Sequence, residues 1–289
     1  MEQYIRSYEL TIGQPNSIGF VLDDHEIDFS VKKGQENDKS INKLTLKIIG
    51  LDKEYRDALT AKNNMAIIFS AGYQNKTVIF QGKITKASSK KNATDYETNI
   101  EAAEGYIALR EAKTSKSFPA GTNALTIINA LCSDLMEKEN DLALGTIYNS
   151  ELLSNKIYRN GYSICGFTKA EISKILQPLN MNFSIQNNII YIAARDKITQ
   201  QQGFLLDYSS GLIIAEKTKN DPQATEKEKK PVDGVNFEAF LNGALQPLSM
   251  IKINNDDSVN SNYKIISIEH KGTYLGGDWI SKGFAVEVR

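Results

Sequence analysis

The sequence predicts a mainly β protein of the α+β class, in which two β units flank a small α/β module. Three observations lead there. Apolar residues alternate at Tyr8, Leu10 and Ile12 and again at Leu44, Leu46 and Ile48, a period of two that buries one face of each strand. Between Ala124 and Leu135 the period becomes helical, and near the C-terminus the alternation returns. At 289 residues the chain can hold several separately cored units, and we divide it at 1–110, 111–200 and 201–289.

The first unit continues through Ile27, Phe29 and Val31, with one short helix from Asp52 to Ala61, where Tyr55, Ala58 and Leu59 share a face. Val78, Phe80, Gly82 and Ile84 then lead to a polar tip at Ser88 to Asp95, and Tyr96, Thr98, Ile100 and Ala102 return. This reads as two long strands joined by a mobile loop. In the middle module Ala124, Ile127, Ile128, Leu131 and Leu135 form a helix face, with Thr122 or Asn123 as its cap. A second helix starts at a capping-box pair, Thr168 and Glu171, and ends by Pro178 and Asn180. Met181, Phe183, Ile185, the turn Asn187–Asn188, Ile190 and Ile192 make a hairpin.

After a strand-like stretch from Gly203 to Ala215, residues 216–234 are a polar run with Pro222 and Pro231. It has too little apolar area to offset its ordering entropy and predicts a flexible loop. The final hairpin climbs Ile265, Ile266 and Ile268, turns between Lys271 and Asp278, and descends Trp279, Ile280, Phe284 and Val286. It looks like a second copy of the hairpin in the first unit.

Composition excludes several functions. A hydrophobic fraction of 41% with 24% charged residues is that of a globular protein, and no run is long enough to cross a bilayer. The N-terminus has neither a basic leader nor a cleavage site, which predicts assembly in a cytoplasm. A net charge of −1 gives no footprint for gripping nucleic acid. Cys132 and Cys165 lack partners at metal spacing and read as buried free thiols.

Catalytic signatures are also missing, so the chain is expected not to be an enzyme and to need no cofactor or metal. His25 and His270 lie far apart in strand-like contexts and read as strand or interface residues. There is no Gly-x-Ser-x-Gly elbow or phosphate loop. The pairs Asp23–Asp24 and Asp256–Asp257 read as solvated turns, and the Asn255–Ser258 stretch lacks the Gly and Glu of a calcium loop.

The last quarter carries a resemblance. Phe237, Leu241, Asn242 and Pro247 lead through Tyr263 to His270 into Gly272, Gly276, Gly277, Asp278 and Trp279, an order similar to the C-terminal barrel of phage baseplate hub proteins. Phe29 to Lys33, Asn42 to Gly50, the Gly72–Tyr73 turn and Ile79 to Gly82 resemble the family's tube-like first domain. Ser115 to Pro119 resembles the approach to its middle domain. The resemblance implies two tube-like β-barrels per chain and a homotrimer that matches a sixfold tail tube on one side and a threefold central spike on the other.

Implied partners are the tail tube or tube-initiator protein and the spike, with wedge and tape-measure proteins as further candidates. DNA would pass the lumen unbound, and the protein would belong to the virion. Gly276, Gly277, Asp278 and Trp279 are the candidate interface or scaffold hairpin. The alternatives are a distal tail protein of a non-contractile tail, the base of a secretion-system spike, and a tail-associated hydrolase or glycan binder.

Overall fold

A computed structural model describes residues 5–14, 19–34, 41–61, 65–92, 94–195, 203–218, 233–255 and 259–288. The first unit holds β1 (Arg6–Gly13), β2 (Phe20–Leu22), β3 (Glu26–Gly34), β4 (Lys43–Ile49), α1 (Lys53–Ala61), β5 (Ala66–Tyr73), β6 (Asn75–Asn92) and β7 (Asp95–Ala103). The middle module holds α2 (Tyr106–Glu111), β8 (Lys113–Phe118), β9 (Thr122–Asn123), α3 (Ala124–Lys138), β10 (Ala143–Ile147), α4 (Ser150–Ser154), β11 (Ile157–Tyr158), β12 (Tyr162–Phe167), α5 (Thr168–Leu176), β13 (Met181–Gln186) and β14 (Ile189–Ala194). The last unit holds β15 (Gly203–Leu206), β16 (Leu212–Thr218), β17 (Gly234–Phe240), β18 (Met250–Asn255), β19 (Val259–Thr273) and β20 (Trp279–Glu287). Strand therefore predominates over helix, as the alternation predicted.

Local chemistry explains most boundaries. Asn123 caps α3 by accepting from the Thr126 backbone N–H at 2.9 Å. Asn187 and Asn188 both have positive φ, 50° and 62°, as a two-residue turn twisted to match its strands requires. Two expectations are corrected. Most of the Ser88–Asp95 tip is strand among the described residues: cross-strand pairing runs out to Asn92 opposite Asp95, because Lys90 opposite Glu97 and Ser89 opposite Thr98 are polar pairs that a solvated ladder tolerates. Thr168 and Glu171 do not form a capping box. Thr168 is already inside α5 with its backbone N–H bonded to Ala112, and Glu171 pairs with Lys174 at 2.6 Å. Of the polar run, 219–232 lies outside the described residues, as do 256–258.

Among the described residues thirteen strands join in one sheet whose main path is β16-β17-β20-β19-β3-β4-β7-β6-β5-β1-β2, with β18 between β19 and β15. The path ends at β16 and β2, so the expected pair of closed barrels is not formed. The reason lies in β19. Its first half pairs with β18, and from Ser267 onward it pairs with β3, so the two β units fuse edge to edge instead of each closing on itself. The repeat is now explicit: the order β3-β4-β7-β6-β5-β1 recurs as β16-β17-β20-β19-β18-β15. Both long hairpins carry a bulge at matching places, between Ile84 and Lys86 and between Ile265 and Ser267. One pairing differs, since β1 is antiparallel to β5 whereas β15 is parallel to β18.

Three cores result, one per unit, and the first takes in Leu241 and Trp279 from the C-terminal part of the chain.

Candidate functional site: hairpin tip, module seam and open edges

The β19–β20 hairpin, read from sequence as an interface or scaffold element of the last unit, packs its tip on the first unit. Trp279 is buried in the first core, edge-on to Phe29 at 5.1 Å between ring centroids, and its indole N–H donates to the Gly72 carbonyl at 3.2 Å. Arg6 of β1 clasps the turn by donating to the carbonyls of Thr273 at 2.5 Å and Gly277 at 2.6 Å. Asp278 pairs with Lys271, which holds its carboxyl below the ordinary aspartate value. Gly277 has φ +72°, which a side chain resists, while Gly276 has open space around it and no such angle. The four candidate residues thus sit in one turn clamped to the N-terminal strand, with Leu275 at its apex 71% exposed.

A second constellation escaped the sequence reading. Lys33 and Glu104, both buried, pair at 2.8 Å, and Lys33 also donates to the Asn187 side chain at 2.6 Å. Burial lowers the Lys33 pKa, and the Glu104 carboxylate works against that shift. Asn42 donates to Glu104 at 2.8 Å and to the Ile185 carbonyl at 2.7 Å, and Gln186 donates to the Gly34 carbonyl at 2.9 Å. This polar seam fastens the β13–β14 hairpin of the middle module to β3 and the end of β7. Lys83 near Glu139 and Asp141, and Lys264 donating to the carbonyls of Ala194 and Arg195, extend the docking. The signal was present: Lys33 follows Ile27, Phe29 and Val31 in the inward register, and Glu104 follows Ile100 and Ala102.

His270 is buried at the β19·β3 junction, its Nδ1 2.8 Å from the Ser281 hydroxyl. Burial, with the Lys33 charge second, pushes its pKa down to about 3, so the imidazole is neutral. His25 lies in the bend before β3 beside Asp24. The two histidines are not brought together, and among the described residues no group of three or more His, Cys, Asp or Glu could hold a metal ion. Cys132 is buried as expected, but Cys165 is exposed, because it sits on the outward face of the two-stranded β8–β12 ribbon. No described helix is long and apolar enough to cross a membrane.

The open edges complete the picture. Among the described residues β16 has a strand neighbour, β17, on one side and exposes Ile213 and Ile214, and β6 beyond Lys83 has a strand neighbour, β7, on one side. Unpaired backbone groups on such edges are templates for another strand.

The fold is shared with solved structures of distant sequence. The fold is similar to the 43 kDa tail protein of prophage MuSo2 from Shewanella oneidensis, with a TM-score of 0.65 at 8% identity over 97% of this chain and 98% of that one. It is equally similar to a tail protein of Neisseria meningitidis MC58, with a TM-score of 0.65 at 8% identity over 97% and 96%. A third likeness, TM-score 0.61 at 11% identity over 97% of this chain and 77% of the other, is to an E. coli component of the type VI secretion system described as structurally similar to the T4 tail proteins gp27 and gp5. No curated protein matches the sequence. A family model does, from residue 9 to residue 273, and the chain belongs to that family, baseplate hub gp41: it is a structural protein of the phage tail baseplate and so a virion component.

Proposed function

We propose that this hub protein is a homotrimeric ring that joins a sixfold tail tube to a threefold spike, its role being structural rather than catalytic. The observation that carries the reading is the repeated strand order with one seam made and its counterpart open. Within one chain the second half of β19 pairs with β3. In the repeat β6 stands for β19 and β16 for β3, yet the second half of β6 and the outer side of β16 have no strand neighbour among the described residues. A second copy supplies each with the missing partner, a head-to-tail contact that closes into a ring. Three chains then present six similar units around one axis.

Aligning the two hairpins at their bulges fixes the register. Lys90 takes the place of Lys271, which faces Ser30, and Glu216 takes the place of Ser30. The inter-subunit ladder therefore sets Lys90 opposite Glu216, an opposite-charge pair. Ser88 falls opposite Thr218 in the same ladder. The likeness to a protein itself compared with gp27 and gp5 supports tail tube and spike proteins as neighbours. DNA slides through the lumen in this reading, consistent with a net charge of −1.

Charge exchange tests the ladder. Lys90→Glu and Glu216→Lys are each expected to shift the protein from trimer to monomer in light scattering, and the double exchange to restore the trimer. Trimers indifferent to either single change, or a double variant no better than the singles, would remove this ladder.

A further inference from the structure

The middle module carries a surface that the ring does not use. β8 continues through Pro119 to Gly121 into β9, and β11 continues through Arg159 to Gly161 into β12, so residues 113–123 and 157–167 form one kinked antiparallel ribbon. Neither β8 nor β12 has a second strand neighbour among the described residues. Its outward face is floored by small side chains, Ser115 opposite Cys165 and Ser117 opposite Ser163, which leave a shallow groove of about 290 Å³. Phe167, 52% exposed, follows Ser163 and Cys165 in the outward register of β12, with the Lys113 ammonium over its ring. Ile157, 54% exposed, stands at the far end.

Charge is one-sided here. Residues 113–123 and 156–169 contain five cations, Lys113, Lys116, Lys156, Arg159 and Lys169, and no Asp or Glu, in a chain whose net charge is −1. Only Lys116 is ion-paired among the described residues, with Asp134 from α3; the nearby Glu171 is taken by Lys174. What marks this surface is the combination of four cations outside any ion pair, no carboxylate in either segment, exposed apolar side chains at both ends and open strand edges.

We infer that this ribbon is a docking face for an extended acidic segment of a partner protein. Carboxylates of that segment meet Lys113, Lys156, Arg159 and Lys169, and an apolar side chain enters the small-residue groove beside Phe167. The flat floor and free edges suit an extended backbone, as in strand-addition recognition. Nucleic acid is the less fitting occupant. A phosphate backbone needs a longer track of charge than five cations on one short ribbon supply. This face is independent of the trimer ladder, which lies on β6 and β16.

The probe is a short dye-labelled peptide of alternating Glu and Val, titrated against the full chain by fluorescence anisotropy at low and high salt. Saturable binding is expected, weakened about tenfold or more by salt. Lys113→Glu with Arg159→Glu, both surface changes, should lower affinity by about tenfold or more while leaving the melting temperature unchanged. A second reading comes from the groove itself. Burial pushes the Cys132 thiol up to about 12, so Cys165 is the thiol that a maleimide labels, and the bound peptide should protect it. Absent binding, equal binding of a neutral Gln and Val peptide, or tighter charge-dependent binding of a single-stranded oligonucleotide would each overturn the assignment.

Discussion

Trp279 and His270 show how single residues weld the two halves of the chain. Trp279 stands next to the turn of the last hairpin yet is buried among Phe29, Tyr274 and the Gly72 carbonyl. Removing so large a buried ring leaves a cavity, and Trp279→Ala should destabilise the fold by about 3 to 5 kcal/mol in thermal or denaturant melts. Gly277→Val should also destabilise, since its φ of +72° is costly for a branched residue, whereas Gly276→Ala should melt like the parent. If the two glycine variants melt alike, the turn geometry assigned here is wrong.

His270 makes a pH prediction. Its folded pKa, about 3, lies below the ordinary histidine value of roughly 6.5. The unfolded chain therefore binds the extra proton first, and the stability this residue contributes is complete above the ordinary value and lost as pH falls toward the folded one. The slope approaches about 1.4 kcal/mol per pH unit within that window. Melts of His270→Gln between these limits should show a shallower acid dependence than the parent, and an unchanged dependence would place the acid sensitivity elsewhere. Sequence alone could mark Trp279 as a large apolar residue by a turn, but not which core it enters. That depends on β19 changing partners at Ser267, a tertiary choice with no local signature.

At the scale of elements, the fold was most legible where periodicity and turn chemistry agreed. The α3 cap at Asn123, the Asn187–Asn188 turn and the helix α1 follow from local residues. The capping box at Thr168 failed because its residues are already in the helix, where Glu171 finds Lys174 at 2.6 Å. The module seam was hidden for a different reason: its partners Lys33, Asn42, Glu104 and Gln186 are far apart in sequence, and only the inward register of Lys33 and Glu104 hinted that they must meet. Replacing one partner of a buried pair strands the other, so Lys33→Met should cost about 3 to 5 kcal/mol. A joint Lys33→Met and Glu104→Leu variant should recover much of that loss in the same melts. Equal losses in single and double variants would mean that the remaining seam residues, not the ion pair, hold the module.

The whole molecule is an open sheet built from two copies of one strand order, with one copy-to-copy seam made inside the chain. Closure is the part of the architecture that the alternation could not specify, because each strand's inward face looks the same whether its sheet curls on itself or meets a neighbour. The fused sheet observed differs from the two separate barrels expected in the pairing of β19 with β3 and in its open ends at β16 and β2. That pairing turns a statement about one subunit into one about assembly. Among the described residues it leaves the second half of β6 and the outer side of β16, the counterparts of β19 and β3, without a strand neighbour, and the proposed ring of three chains would supply both. The most direct measurement is the mass of the purified protein in solution by multi-angle light scattering at micromolar concentration. The account predicts a species of three chain masses, and a strict monomer, even with tail tube or spike protein added, would contradict it.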